Sequence, residues 1–250
     1  MNRPTNRELR EYYTRKAVEV DELRATYEHP SWYKRAFYQA RFRAVFEALG
    51  PRPGEMVLDL GSGPGYYSYR IAEAGAFVVS ADLAPTYLGK IPSHVSARVA
   101  ADAQQLPLRS GTFDRVLATE VLEHTLRPER LVDEVARVLK TGGRAVITCP
   151  SCNSYMDRLY EVKSRVRRYD FVEHVQEFDR ARFSELVSRH FRILDFRFAN
   201  CLVAYPLDSI AMKIPERLGL PIFSKLERAF AQGKGGPALC WTMIAILERP

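Results

Sequence analysis

The sequence predicts a doubly wound α/β fold: a mostly parallel seven-stranded sheet with helices on both faces, a helical N-terminal extension and C-terminal cap segments. Three observations predict it. From residue 55 onward, short and almost continuously apolar runs alternate with amphipathic helical stretches, as in a parallel sheet covered on both sides. The loop after the first run is rich in glycine, Gly61-Ser62-Gly63-Pro64-Gly65, and such loops sit at the ligand crevice of open sheets. A chain of 250 residues, 46% hydrophobic and 27% charged, suits one large domain with a full core. Residues 1–50 are expected to form the helical extension and 51–250 the main domain, with cap insertions at 151–178 and 202–238.

The first fifty residues read as helix. Tyr38, Phe42, Val45, Phe46 and Leu49 recur on one helical face, with Lys34, Arg35, Arg41 and Arg43 elsewhere on the surface, and Gly50-Pro51 ends the pattern. Strands follow at 56–60, 77–81, 95–100 and 113–119, with a helix carried by Ile71 and Ala72 and stopped at Gly75. The next helix starts near Pro128, presents Leu131, Val132, Val135, Val138 and Leu139 as one stripe, and ends at Lys140 and Gly142-Gly143. A fifth strand at 145–149 stops at Pro150. Residues 155–168 and 180–188 read as helices, 191–198 and 241–247 as the last two strands. Right-handed crossovers wind such a sheet doubly. The stretch 202–236 is amphipathic and broken by proline, with Ile210, Ile214, Leu218, Phe223, Leu226 and Phe230.

Composition narrows the function classes. Lys plus Arg number 37 against 30 Asp plus Glu, a formal charge of +7 that permits an anionic partner: nucleic acid, an acidic small molecule or a membrane surface. The dense basic tract Lys163, Arg165, Arg167 and Arg168 fits a solvated helix face. No apolar run reaches the length of a membrane span, and the polar N-terminus lacks a signal sequence, so a cytoplasmic location is the expectation. The four cysteines, Cys149, Cys152, Cys201 and Cys240, read as ordinary thiols, and no metal site is expected from the lone Cys149-x-x-Cys152.

The glycine loop carries the chemistry. Asp82 follows Gly63 by 19 residues, close to the spacing of a carboxylate that accepts from ribose hydroxyls. A nicotinamide dinucleotide and S-adenosylmethionine both fit this much. A dinucleotide wants G-x-G-x-x-G so that pyrophosphate can approach the helix N-terminus, whereas Tyr66 stands here in place of the third glycine.

Four segments then fall in order: Val57-Leu58-Asp59-Leu60-Gly61-Ser62-Gly63, Ala101-Asp102-Ala103, the stretch from Leu106 to Asp114, and Glu120-Val121-Leu122-Glu123-His124. Together they resemble the class I S-adenosylmethionine-dependent methyltransferases, in particular the group related to quinone-biosynthesis methyltransferases. The likeness is densest from Val57 to Pro150. It implies a Rossmann-like methyltransferase fold and S-adenosylmethionine as cofactor. It further implies that Asp59, Gly61, Ser62 and Gly63 surround the methionine part, that Gly65 lets the helix pack close, and that Asp82 takes the ribose with Leu83 beside the adenine. Asp102 and Ala103 would flank the adenine edge, Glu120 and Val121 would line the floor, and Tyr12 of the Tyr12-Tyr13 pair would fold over the cofactor. Tyr87 stands where many relatives carry methionine.

Methyl transfer needs no covalent nucleophile, and a general base only when the acceptor must lose a proton. His124 and His174 are the base candidates, His174 through the segment Glu173-His174-Val175-Gln176-Glu177-Phe178. Glu123 reads as a charge at a helix start, with a second pocket carboxylate as the alternative. The expected function is methylation, at oxygen or carbon, of a small-molecule or lipid-like acceptor, with peripheral membrane contact through 202–238 as an option. The alternatives are an RNA or protein methyltransferase, which the charge keeps open, and a non-catalytic partner subunit with the same fold. Against nucleic acid, Glu120-Val121 stands where RNA cytosine-5 enzymes carry Pro-Cys, and there is no Asn-Pro-Pro-Tyr-like segment. Trp32-Tyr33 beside Lys34 and Arg35 could stack bases, although packing onto the domain is the commoner fate.

Overall fold

In an extended strand neighbouring side chains point to opposite faces, so a run such as Val57-Leu58 must be covered on both sides. The computed structural model describes residues 4–19, 27–152, 175–201, 213–232 and 236–250. Its elements are α1 (Asn6–Glu19), α2 (Trp32–Leu49), β1 (Met56–Leu60), α3 (Tyr66–Glu73), β2 (Phe77–Asp82), α4 (Pro85–Leu88), β3 (Ala97–Ala100) and β4 (Phe113–Thr119). After the 3-10 turn Leu122–His124 come α5 (Pro128–Val138), β5 (Leu139–Pro150), α6 (Arg180–Ser188), β6 (Arg192–Ala199), α7 (Glu216–Gln232), α8 (Gly236–Leu239) and β7 (Thr242–Glu248). The strands form one seven-stranded sheet in the order β3-β2-β1-β4-β5-β7-β6. It is parallel except for β7, which runs antiparallel to both β5 and β6.

The two faces build two cores. Val57, Val78, Leu117, Val146, Ile244 and Ile246 pack against Val45 and Leu49 of α2 and Tyr67 and Ile71 of α3. Their alternates, among them Leu58, Val116, Ile147 and Met243, pack against Leu131, Val132 and Val135 of α5 and Phe183 and Val187 of α6. Trp32 and Tyr33 belong to neither: buried, they pack with Phe223 of α7 and are not available to stack on bases.

Three expectations are corrected. The helix that starts at Pro128 stops at Val138, and β5 begins at Leu139, six residues before the expected start. Gly142 and Gly143 continue the strand because the chain after β7 pairs with them, Gly142 N–H donating to Arg249 O at 2.8 Å and Arg249 N–H to Gly143 O at 3.0 Å. Cys201 and Cys240 form a disulfide with S–S 1.92 Å. Their positions, just after β6 and just before β7, explain it: antiparallel pairing of Ala199 with Thr242 brings the flanking residues together. Arg41 is not a surface residue, since α2 turns its side chain inward to Glu120. The expected helix at 155–168, its basic tract, and most of both cap insertions lie outside the described residues.

Candidate functional site

The strand order reverses between β1 and β4, and in open α/β sheets the crevice beside such a reversal receives ligands. Here it holds a cavity of about 260 Å³ at the carboxyl ends of β1, β2, β3 and β4. The sheet side is lined by Leu60, Gly61, Gly63, Asp82, Leu83 and Asp102. The opposite wall comes from α1, through Asn6, Leu9, Tyr13 and Lys16.

The loop after β1 is shaped by what stands behind it. Gly61 has φ +71°, and a Cβ there would lie 2.2 Å from Val121 Cγ2, so only glycine lets the β1 and β4 loops approach this closely. A Cβ on Gly63 would meet nothing within 4 Å. The Gly63 N–H donates to Asp82 Oδ2 at 2.9 Å and the Ala84 N–H to Asp82 Oδ1 at 2.8 Å. Two amides therefore fix the plane of the Asp82 carboxylate at the cavity edge.

Asp102 is held at the other end. Its Oδ1 accepts from Gln104 N and Nε2, each at 2.9 Å, and its Oδ2 accepts from Asn6 Nδ2 at 2.6 Å. The last bond spans 96 residues and clips α1 over the cavity. Tyr13 of the same helix meets the His124 ring edge-on at 5.7 Å.

Of the residues singled out in the sequence, Gly61, Gly63, Asp82, Leu83, Asp102, Ala103, Glu120, Val121 and His124 line the cavity. Tyr12, Asp59, Ser62 and Gly65 do not; Tyr13 takes the place expected of Tyr12. Asp59 is 2% exposed and accepts from Ser68 Oγ at 2.6 Å, at the head of a buried hydroxyl chain running through Ser80 to Ser96. Burial pushes its pKa up to about 6, against the Ser68 hydrogen bond and with the Asp82 charge adding to the rise. Gly65 supports the loop from outside, where a Cβ would lie 2.7 Å from Ile91. His174 lies outside the described residues.

At the cavity floor is a largely buried charge cluster whose pairing the sequence did not reveal. Glu120 takes a left-handed backbone, φ +54°, rare outside glycine and a mark of stored strain. Its Oε1 accepts from Thr148 Oγ1 at 2.8 Å and its Oε2 pairs with Arg41 Nη1 at 3.2 Å. Burial works against the Arg41 charge, but the attraction of Glu120 and the neighbouring phenols outweighs it and raises the pKa. Glu123, read from sequence as a helix-start charge, is 2% exposed, and neither carboxyl oxygen has a hydrogen-bond partner among the described residues. Burial, then the Glu120 charge, holds its pKa well above the ordinary carboxylate value. The His124 Nε2 lies 3.7 Å from its Oε1. The one available signal was spacing: in a short turn, Glu123 falls three residues after Glu120 and so returns to the same side.

The cavity can bind a ligand with both hydroxyl and apolar groups. Two anchored carboxylates stand at its ends, Leu60, Leu83, Tyr87 and Ala103 line its middle, and Thr119 Oγ1 is buried at its wall with no hydrogen-bond partner among the described residues. Residues 58–147 match a family model described as "Methyltransferase domain". Over 107 residues the chain is 40% identical to a demethylmenaquinone methyltransferase of Beutenbergia cavernae, a match covering 42% of this chain and 45% of that protein. The chain thus spans less than half the length of that curated relative. Among solved structures, a SAM-dependent methyltransferase of Thermotoga maritima superposes with a TM-score of 0.66 at 14% identity, over 97% of this chain and 100% of the other. The [4+2]-cyclase SpnF does so with a TM-score of 0.69 at 19% identity, over 100% and 98%. At such identities these structures speak for the fold. Residues 58–147 thus match a methyltransferase domain, and the sheet as a whole shares the Rossmann-like fold of these solved structures.

Proposed function

We propose that the chain transfers a methyl group from S-adenosylmethionine to a small-molecule or lipid-like acceptor, at oxygen or carbon. The observation that carries this reading is the pinned Asp82 carboxylate, set by the Gly63 and Ala84 amides at the mouth of a glycine-lined cavity. A carboxylate offers about four lone-pair sites, so one held by two amides can also accept from a pair of vicinal hydroxyls. Asp82 would hold the ribose, Asp102 and Ala103 the adenine edge with Leu83 against its face, and Gly61 and Gly63 the methionine part together with the backbone of Glu120 and Val121. Asp59 and Ser62 support that loop from behind, and Tyr12 acts through its neighbour Tyr13. Thr119 Oγ1, at the cavity wall without a hydrogen-bond partner among the described residues, is a further donor or acceptor for the same cofactor.

When bound, S-adenosylmethionine supplies an electrophilic methyl group on a sulfonium. The chain's own residues align and dry the site: α1 closes one wall, and the apolar lining excludes water, which strengthens every charge interaction inside. Where the acceptor must lose a proton, His124 at the cavity wall is the base we assign; His174 is the second candidate. The demethylmenaquinone substrate in the relatives' name supports an aromatic or quinone-like acceptor.

The test is calorimetric titration of S-adenosylmethionine and S-adenosylhomocysteine into the wild type and Asp82→Ala. A turnover screen over phenols, quinones, lipids and tRNA, read as S-adenosylhomocysteine release, accompanies it. Binding that falls at least about tenfold on removal of hydrogen bonds to the charged carboxylate supports the reading. Absence of binding to the wild type ends it, and turnover confined to tRNA moves the acceptor to RNA.

A further inference from the structure

The orientation of α7 is fixed by its inner face. Gly219, Phe223 and Glu227, spaced by four, are buried. Gly219 is seated on the Trp32 indole, where a Cβ would lie 2.3 Å from the ring, and the Phe223 ring meets Tyr33 edge-on at 5.1 Å. The Glu227 carboxylate accepts from the Cys201 N–H at 3.0 Å.

That seating leaves a second apolar row facing water. Leu218, Ile222, Leu226 and Phe230, also spaced by four, are 56%, 61%, 44% and 38% exposed, and Ile214 in the approach to the helix is 41% exposed. Elsewhere among the described residues, large exposed apolar side chains occur singly, as Val18, Phe77 and Leu194. An apolar row of this length on a water-facing helix marks a contact surface. Its charged border has one sign. Lys213 in the approach and Arg217, Lys225 and Arg228 along one flank of the row are exposed, while Glu216 is neutralised by Arg35 at 2.7 Å and Glu227 is buried.

We propose that this outer face of α7 docks the protein on an anionic bilayer surface, the apolar row entering the acyl boundary and the basic border meeting lipid phosphates. Charge decides the occupant. A second copy brings a border of the same positive sign to the contact, whereas an anionic bilayer satisfies both the apolar row and its border. The inference stands apart from the chemistry assigned to the cavity.

The experiment is co-sedimentation of the full chain with vesicles of phosphatidylcholine alone and of phosphatidylcholine with phosphatidylglycerol, at low and high salt. Binding is expected to the phosphatidylglycerol vesicles and to weaken with salt, as charge screening requires. Each basic residue near the surface is worth about fivefold, so Lys225→Glu with Arg228→Glu should weaken binding at least about 25-fold. Ile222→Asp with Leu226→Asp should abolish it, with circular dichroism and S-adenosylhomocysteine affinity unchanged as the control for folding. Equal binding to both vesicle types, no binding by the wild type, or undiminished binding by the Ile222→Asp, Leu226→Asp variant overturns the proposal. So does a wild-type dimer that the same variant makes monomeric, since a second copy then covers the face.

Discussion

Gly61→Ala isolates the closest approach in the candidate site, and its cost divides into two parts. The backbone at φ +71° is left-handed, which costs an L-residue roughly 1–2 kcal/mol. The new Cβ would lie 2.2 Å from Val121 Cγ2, an overlap that the packed floor must relieve at a further cost of about 1–3 kcal/mol. The total, roughly 2–5 kcal/mol, is a large share of a typical domain's stability. Val121→Ala removes the offending methyl and leaves Val121 Cβ at 3.4 Å, an ordinary contact. The pair of variants should therefore show a coupling of about 1–3 kcal/mol in urea denaturation, with the backbone part persisting in the double variant. Affinity for S-adenosylhomocysteine should follow the same pattern, because Gly61 and Val121 both line the cavity. If Gly61→Ala unfolds at the wild-type urea midpoint, or if Val121→Ala recovers nothing, the close packing of the two loops does not govern the site.

Three other substitutions probe separate parts of the argument. Because burial raises the Asp59 pKa from 3.8 to about 6, the folded state binds its proton more tightly than the unfolded state does. Its contribution to stability is therefore fully present below about pH 4, falls as pH rises towards 6, and costs about 3 kcal/mol above that; Asp59→Asn should lack this slope in urea titrations from pH 4 to 8, and an unchanged slope would contradict the buried ionisation. Gly219→Ala places a Cβ 2.3 Å from Trp32, so it should destabilise by about 1–3 kcal/mol and shift tryptophan fluorescence, despite a helix-propensity gain of about 1 kcal/mol; a net gain in thermal stability would show that α7 is not seated on the indole. Arg115 is buried and donates to both Glu55 oxygens and to the Leu49 carbonyl, so Arg115→Ala should cost about 3–5 kcal/mol in denaturation, and a loss near zero would deny that this clamp ties the end of α2 to the sheet.

Much of the sheet could be read directly because its signals are local. The runs at 56–60 and 113–119 are mostly apolar, bounded by polar or glycine residues, and form strands over those same residues. The 19-residue step from Gly63 to Asp82 reappears as a hydrogen bond between them. What escaped the sequence depends on partners distant along the chain. Arg41 looks like any helix-surface arginine until β4 delivers Glu120 beside it, 79 residues later. Glu123 is buried by the fold, and that burial, ahead of the nearby Glu120 charge, raises its pKa in a way composition does not announce. Gly142-Gly143 carries a helix-stop signal that the chain after β7 overrides by offering it a pairing edge. The Cys201–Cys240 bond likewise follows from the register of two antiparallel strands, which spacing alone does not encode.

The way α1 lies on the cavity has a kinetic consequence. This wall rests on a helix that itself buries Leu9 and Ala17, with the Asn6–Asp102 hydrogen bond as a latch. An occupant held between the two carboxylates can depart once α1 peels away, so its residence time is set by the foothold of that helix as much as by the grip of Asp82. Ala17 packs beside Ala84 and Tyr87 without itself lining the cavity, yet loosening it would speed both entry and escape while leaving the equilibrium affinity nearly untouched.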